Sequence, residues 1–160
     1  MTMTHRLNTF VLTLVLIVLS NMPSIARAEL LATFDGSADS WQGYEGNDLD
    51  AVIDLGEKKR IDKISLGCLQ DNNSWIFFPT EVEFSLSDDG KAFHHRTVVK
   101  NTVSPQEMAV ALKEFSETYD ATARYVRVRG RNIGTCPPWH KGAGGKAWLF
   151  ADEISVEIRK

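Results

Sequence analysis

The chain has 160 residues, of which 18 are basic and 21 acidic, so its formal net charge is −3. This balance argues against nucleic acid as a partner, because affinity for the phosphate backbone comes mainly from basic side chains. The basic residues are scattered and form no polybasic block of the kind that binds membrane surfaces. A neutral ligand suits such a surface better.

The first residues predict a secretory signal peptide over residues 1–28. Arg6 precedes an apolar run from Phe10 to Leu19, and a small-residue A-x-A pattern ends at Ala28. The run has about half of the ~20 apolar residues that a membrane-spanning helix requires. We therefore expect cleavage after Ala28, a single secreted or periplasmic domain of residues 29–160, and no membrane span after cleavage. A retained membrane anchor is the alternative.

The remainder of the chain has the sequence pattern of β-strands. Apolar residues alternate with polar ones in short segments that are rich in Val, Ile, Phe and Tyr. Eight such segments separated by turns predict an all-β fold, an eight-stranded antiparallel jelly-roll β-sandwich. The predicted strands are Leu30–Phe34, Ala51–Leu55, Ile61–Leu69, Glu81–Ser87, Phe93–Val99, Glu107–Phe115, Ala123–Gly130 and Trp148–Ile158.

The connections between these strands are of two kinds. Asp88-Asp89-Gly90 predicts a tight hairpin turn, because glycine adopts the positive φ that such turns need. Three other connections are long and polar or rich in glycine, and they cover residues 35–50, 70–80 and 133–146. Long loops on a rigid sandwich are where function usually resides.

Two of the four tryptophans are candidates for an exposed sugar-binding platform. Trp75 and Trp139 lie in the long loops, whereas Trp41 and Trp148 are expected in the core. Aromatic rings bind sugars through their apolar faces, although they more often fill cores. For Trp75 we keep open the alternative that it closes the end of the sandwich.

Polar residues close to Trp139 in the sequence complete the candidate sugar site. His140 follows it directly, and Arg129 and Asn132 lead from the preceding strand toward the same loop. Planar polar groups beside an aromatic ring are the usual composition of a small-ligand site. We therefore predict that these three side chains hydrogen-bond to sugar hydroxyls.

The two cysteines, Cys68 and Cys136, form a candidate disulfide. Export permits a disulfide, and a bridge closing a loop of about seventy residues would contribute roughly 4 kcal/mol in the chain-entropy model. We predict this bridge, with two free thiols as the alternative.

The sequence gives no support for catalysis. The acidic pairs Asp88-Asp89 and Asp152-Glu153 are adjacent, and adjacent side chains on a regular strand point to opposite faces. They would then be unable to act together as a glycosidase pair. Neither a nucleophile elbow nor a zinc-protease motif is present. We expect a protein that is not an enzyme.

Several segments, taken together and in order, resemble the discoidin-like family, also called F5/8 type C domains or family 32 carbohydrate-binding modules. The resemblance implies the galactose-binding-like jelly roll and carbohydrate binding without catalysis. The segments are Asp35-Gly36 with Ser40-Trp41, Val52-Ile53-Asp54-Leu55-Gly56, Ser85-Leu86-Ser87-Asp88-Asp89-Gly90, Ala123-Arg124-Tyr125-Val126-Arg127-Val128 and Asp152-Glu153-Ile154.

The segments Leu69–Pro79 and Gly134–Phe150 resemble more specifically the C-terminal domain of bacterial family 20 β-N-acetylhexosaminidases. That resemblance implies a glycan ligand containing galactose or N-acetylhexosamine. It also leaves an alternative function, a structural or protein-interaction domain that docks to a secreted glycosidase. The catalytic domain of those enzymes is absent from this chain.

The family resemblance also implies a structural Ca²⁺ site that joins the two ends of the domain. Carboxylates and neutral oxygens form the all-oxygen shell that a hard cation prefers. In this sequence the implied ligands are the carboxylates of Asp35 and Glu153, the hydroxyl of Ser40, and the backbone oxygens of Ala38 and Asp152.

Overall fold

A computed structural model describes the backbone of residues 10–14 and 26–27, and residues 41–159 in full. The predicted strand Leu30–Phe34, the cleavage position after Ala28 and the implied calcium ligands Asp35, Ala38 and Ser40 lie outside these residues. Within them, no helix is long and apolar enough to cross a membrane. The strands are β1 Phe10–Leu14, β2 Ala26–Arg27, β3 Gln42–Glu45, β4 Leu49–Gln70, β5 Glu81–Ser87, β6 His94–Lys100, β7 Ala111–Gly130 and β8 Trp148–Arg159.

The predicted all-β class is confirmed, but the strands are divided differently. The predicted strands Ala51–Leu55 and Ile61–Leu69 are parts of the continuous β4, which bends at a register shift between Asp54 and Lys59. In the same way, β7 contains most of the predicted strand Glu107–Phe115 and all of the predicted strand Ala123–Gly130. The predicted first long loop contains a strand, β3, that pairs with β8. Local patterning shows where apolar residues alternate, but it does not show that a bent strand continues through a bulge.

The two long strands hold both layers of the sandwich together. The beginning of β4 pairs with the end of β7, which also pairs with β5, and β6 pairs with β5 at the edge. The remainder of β4 lies between β7 and β8, and β8 pairs further with β1 and β3. All of these pairings are antiparallel, whereas the short β2 pairs with β4 in parallel. The inner faces form one core that includes Ile53, Ile61, Leu66, Phe84, Phe115, Val126, Leu149 and Val156.

A β-bulge interrupts β8 at Asp152 and Glu153. The register pairs Leu66 with Ile154 and Cys68 with Ala151, so two residues of β8 lie opposite Gly67 alone. The bulge shifts the alternation by one residue: Leu149 and Ala151 are buried before it, and Ile154 and Val156 after it. The prediction that Trp148 and Trp41 lie in the core is therefore wrong. Trp148 is half-buried outside the core, and so is Trp41.

The predicted hairpin turn between β5 and β6 is confirmed. Gly90 has a φ of +71°. The carboxylate of Asp89 accepts hydrogen bonds from the amides of Lys91 and Ala92 and from the hydroxyl of Ser87. These bonds lower the pKa of Asp89 to about 2. The side chain fixes the turn, as expected for an Asx turn.

Candidate functional site

Two of the long loops meet at one end of the sandwich. Asp71 caps a single turn of 3₁₀ helix, Asn72–Ser74, and its carboxylate accepts a hydrogen bond from the amide of Asn73. Trp75 follows in the left-handed conformation with a φ of +64°, which is uncommon for a residue other than glycine. The amide of Trp148 donates to the carbonyl of Trp75 at 2.9 Å. The first loop is therefore attached to the beginning of β8.

The indole of Trp75 lies on the backbone of the second loop. A Cβ added to Gly142 would lie 2.6 Å from Cε2 and Cζ2 of the indole, and one added to Gly145 would lie 2.8 Å from Cζ3. Real Cβ atoms do not come so close, so both positions need glycine. Trp75 remains 37% exposed in spite of this contact. It does not plug the end of the sandwich, which was the alternative left open by the sequence.

His140 lies between the two loop tryptophans. Its ring centroid is 6.2 Å from that of Trp75 and 5.7 Å from that of Trp139, and both contacts are edge-to-face. Trp139 is 42% exposed, whereas His140 is only 8% exposed. The two indoles therefore belong to one surface, the aromatic rim, which we define as Trp75, Trp139 and the segment of residues 140–145 on which the Trp75 indole lies.

The predicted direct contact of His140 with a sugar does not fit its geometry. Nε2 lies 2.7 Å from the carbonyl oxygen of Asn72, and Nδ1 accepts a hydrogen bond from the amide of Gly142 at 3.0 Å. Both ring nitrogens are thus used inside the protein. His140 links the two loops beneath the rim and has no free nitrogen for a ligand.

A small separate core supports the rim from below. Phe77, Cys136 and Ala147 are buried together, and Ile133 packs against them. The ring of Phe77 contacts that of Trp139 edge-to-face at 6.3 Å. Since these residues come from both loops, their burial holds the loops against each other independently of the main core.

Asn132 also has a structural position that excludes the predicted ligand contact. Its side-chain nitrogen donates to the carbonyls of Tyr44 and Ala147, and its oxygen accepts from the amide of Gly134. The residue is 8% exposed. Asn132 therefore ties three backbone segments together and offers no free polar atom to a sugar.

Arg129 lies on another part of the surface. Its guanidinium donates to Asp50 at 3.1 Å, and Arg127 donates to both oxygens of the same carboxylate. Arg129 lines a polar groove of about 340 Å³ together with Glu81 and Glu83. The structure thus does not bring Arg129 into the aromatic rim, and its sugar-binding role stays a prediction.

The predicted disulfide is not formed. Cys68 and Cys136 are both free and buried. Cys68 belongs to the main core opposite Ala151, whereas Cys136 belongs to the small core under the rim. Burial raises the pKa of both thiols, which keeps them protonated and unreactive. Spacing along the chain carries no information about which core a cysteine enters.

The bulge in β8 brings two carboxylates to one cavity. The cavity has a volume of about 250 Å³, and Trp41, Cys68, Leu112, Asp152 and Glu153 are among its lining residues. The expectation that Asp152 and Glu153 point to opposite faces is wrong, because the bulge breaks the regular alternation. Sequence patterning gives no signal for this bulge.

The two carboxylates of this cavity fit a hard cation. Burial raises the pKa of Asp152, and burial together with the adjacent Asp152 raises the pKa of Glu153. Oε2 of Glu153 is buried and has no hydrogen-bond partner among the described residues. An orphaned carboxylate oxygen of this kind suits a cation ligand. Among the same residues, no three metal-binding side chains converge, and Asp35, Ala38 and Ser40 lie outside them.

A stripe of exposed apolar side chains runs beside the first loop. The side-chain amide of Asn72 donates to the carbonyls of Pro105 and Glu107, and this contact holds the segment before β7 against the loop. Met108 is 58% exposed, and Val110 and Leu112 are each 66% exposed. These three residues form the apolar stripe, a feature that the sequence interpretation missed because the segment was assigned to a strand.

The jelly-roll β-sandwich is an architecture typical of binding modules. The F5/8 type C domain matches residues 23–150. The chain belongs to the F5/8 type C domain family, as its motifs indicated. Domains of this family commonly bind carbohydrate.

Three solved structures are similar to this chain. CBM32 of AlyQ, in complex with 4,5-unsaturated mannuronic acid, is 18% identical over 78% of this chain and 81% of that one, with a TM-score of 0.45. CpGH89CBM32-5 from Clostridium perfringens, in complex with GalNAc-β-1,3-galactose, is 18% identical over 76% and 78%, with a TM-score of 0.44. The C-terminal domain of a chitobiase from Bacteroides fragilis is 17% identical over 82% and 81%, with a TM-score of 0.44. None of the curated proteins matches the chain.

Proposed function

We propose that this domain is a secreted, non-catalytic module that binds a glycan containing galactose or N-acetylhexosamine at the aromatic rim. The observation that carries the proposal is the pair of exposed indoles, Trp75 and Trp139, on either side of one buried imidazole. Exposed indoles offer apolar faces to sugar rings, and the loops beneath them are held by hydrogen bonds and a small core. A rigid platform loses little entropy on binding.

The affinity of such a platform is modest. A shallow surface that stacks one or two sugar rings corresponds to a Kd near the millimolar end, about −4 kcal/mol. Retention on immobilised galactose, N-acetylgalactosamine and N-acetylglucosamine columns measures this range directly. We expect retention on at least one of the three columns.

Trp139→Ala tests where the sugar binds. Removing the exposed indole lowers affinity by about tenfold, because aromatic contacts contribute about 0.5–1.5 kcal/mol beyond the area they bury. The melting temperature should fall only modestly, since Trp139 is 42% exposed and its ring contacts Phe77 and His140 only edge-to-face. The matched control is Val98→Ala on β6, because Val98 is also 42% exposed but lies outside the two loops. Equal retention of the two variants would refute the rim as the sugar site.

The same proposal includes a structural Ca²⁺ at the β8 bulge. Asp152 and Glu153 would hold it together with Asp35, Ala38 and Ser40, and the bound cation would supply positive charge to two buried carboxylates. The orphaned Oε2 of Glu153 supports this assignment. The cation would join the end of the domain to the segment that precedes β3.

Chelation tests the calcium site. EGTA should lower the melting temperature, and added Ca²⁺ should restore it, because a ligand that binds only the folded state stabilises it. In Glu153→Gln the response to EGTA should be lost. Glu45→Gln, which alters an exposed carboxylate on β3, should keep the response. A melting temperature that EGTA leaves unchanged in the unmodified protein rules the site out.

Export is the third part of the proposal. N-terminal sequencing of the protein recovered from the periplasm or the medium should begin at Glu29. An intact leader on exported protein would show that residues 1–28 act as an anchor.

The apolar stripe favours a second candidate function, docking to a secreted glycosidase. Met108, Val110 and Leu112 are all exposed at every second position of one segment, and contiguous exposed apolar patches mark interaction sites. Leu112→Ser should weaken co-elution with a family 20 β-N-acetylhexosaminidase and leave sugar retention unchanged. Trp139→Ala should have the opposite effect, so the two variants separate the candidates.

A further inference from the structure

His140 has a single tautomer that its partners define. The amide of Gly142 can only donate, so Nδ1, at 3.0 Å, must carry the lone pair that accepts. The proton of the neutral ring is then on Nε2, which donates to the carbonyl of Asn72 at 2.7 Å. The bond from Gly142 lies within the second loop and exists only while Nδ1 is unprotonated, whereas the bond from Nε2 to Asn72 joins the two loops.

The surroundings of His140 are apolar rings and backbone. The rings in contact with the imidazole are those of Trp75, Phe77 and Trp139. Charged residues on the elements packed here are Asp71 beside the 3₁₀ turn, Glu107 in the segment packed on that turn, and Lys141 in the same loop. The Asp71 carboxylate is bonded within its own turn, and that of Glu107 accepts from the amide of Ala109. In the described part of the chain, neither carboxylate bonds to the imidazole.

Protonation of Nδ1 would therefore break the hydrogen bond from Gly142 and leave the Nε2 bond to Asn72 in place. A protonated Nδ1 is a donor, so it would face the amide donor of Gly142 and lose the hydrogen bond. Gly142 is also the residue on which the Trp75 indole lies, so its release would remove one side of the indole's support.

We infer that His140 is the positioning residue of the aromatic rim and that its protonation detaches Gly142 and weakens glycan binding in acid. The inference rests on the proposed function for its effect on sugar affinity, but its effect on the loop is independent of any ligand. It assigns His140 a different role from the sugar contact that its sequence position suggested.

Two measurements on the full-length mature domain test the inference. Amide chemical shifts from pH 8 to pH 5 should show the Gly142 signal moving together with the ring signals of His140. Sugar retention should fall over the same pH range by about fivefold, which corresponds to the loss of one ordinary hydrogen bond. His140→Asn places an amide oxygen near Nδ1 and does not titrate, so it should keep the Gly142 contact and remove the pH dependence of both signals.

Matched variants show whether His140, rather than another histidine, causes the pH dependence. His94→Gln combined with His95→Asn removes the two exposed histidines of β6 and should leave the pH dependence intact. His140→Gln places its amide near Nε2, so it should keep the Asn72 contact and lose the Gly142 contact at every pH. A merely structural histidine would affect stability in these variants without changing the pH profile.

The outcomes separate the inference from the proposed function. If no sugar is retained at pH 8 while Gly142 still follows the titration of His140, the sugar-binding proposal fails and the positioning role stands. If sugar is retained but Gly142 does not respond to that titration, the inference is overturned. Persistence of the pH dependence in His140→Asn overturns it as well. Should that variant fold poorly, the Gly142 titration in the unmodified protein decides alone.

Discussion

The contact between Trp75 and Gly142 can be tested by stability measurements alone. In Gly142→Ala the new Cβ would lie 2.6 Å from two carbons of the indole, whereas unstrained carbon atoms are separated by about 3.5–4.0 Å. The ring or the loop must therefore move by about 1 Å. Overpacking of this kind costs about 1–3 kcal/mol. The substitution also lowers the conformational entropy of the unfolded chain, which stabilises the fold by about 0.4–1 kcal/mol. We therefore expect the free energy of unfolding to fall by about 0.5–2 kcal/mol.

A double-mutant cycle isolates this contact. In the Trp75→Ala background the indole is absent, so Gly142→Ala should be neutral or stabilising by up to about 1 kcal/mol. Urea unfolding of the four proteins gives the coupling free energy, which we expect to be about 1–3 kcal/mol. Gly144→Ala serves as a control, because no atom lies within 4 Å of its new Cβ and its cost comes only from a φ of +80°. Additive effects of Trp75→Ala and Gly142→Ala would refute the packing argument.

The remaining predictions concern other parts of the fold. Asn132→Ala removes three hydrogen bonds, to the carbonyls of Tyr44 and Ala147 and from the amide of Gly134, although the Ala147 carbonyl still accepts from the amide of Gly46. Unfolding experiments should therefore show a loss of about 2–4 kcal/mol, against about 0.5 kcal/mol or less for the exposed Asn47→Ala. The folded-state pKa of Asp89 is lowered to about 2, against about 4 in the unfolded chain. The stabilisation by this carboxylate is therefore complete above pH 4 and is lost as the pH falls through 2. The urea midpoints of the unmodified protein and Asp89→Asn should differ at pH 6 and converge below pH 2. Cys68 and Cys136 should react with Ellman's reagent only after unfolding, without any reductant, and an intact mass lower by two hydrogens would contradict the free thiols.

The fold could be predicted from the sequence to the extent that burial follows local alternation. Val126 and Val128 alternate with Arg127 and Arg129, and the structure buries the valines and exposes Arg129. The Asp-Gly turn could be predicted equally well, because its conformation depends on three adjacent residues. The bulge at Asp152 could not be predicted, since it arises from pairing with β4, which is distant in the sequence.

The candidate site was predicted in part. The exposure of Trp75 and Trp139 agrees with their loop positions. The roles of His140 and Asn132 were misassigned, because a polar side chain in a loop can serve the backbone as readily as a ligand. Each of these side chains also has a partner on a distant segment, Asn72 for His140 and Tyr44 for Asn132, and only the folded chain brings them together.

The long strands of this domain also have a kinetic consequence. Asp50 is bonded to Arg129, 79 residues later, and Asp62 to Arg159, 97 residues later. Each such pairing requires the closure of a long loop before any contact is gained, and all-β domains of high contact order fold in milliseconds to seconds. A newly made chain therefore stays unfolded for longer than a helical protein of the same size. That delay would suit the export proposed above, because an exported chain is threaded across a membrane before it folds.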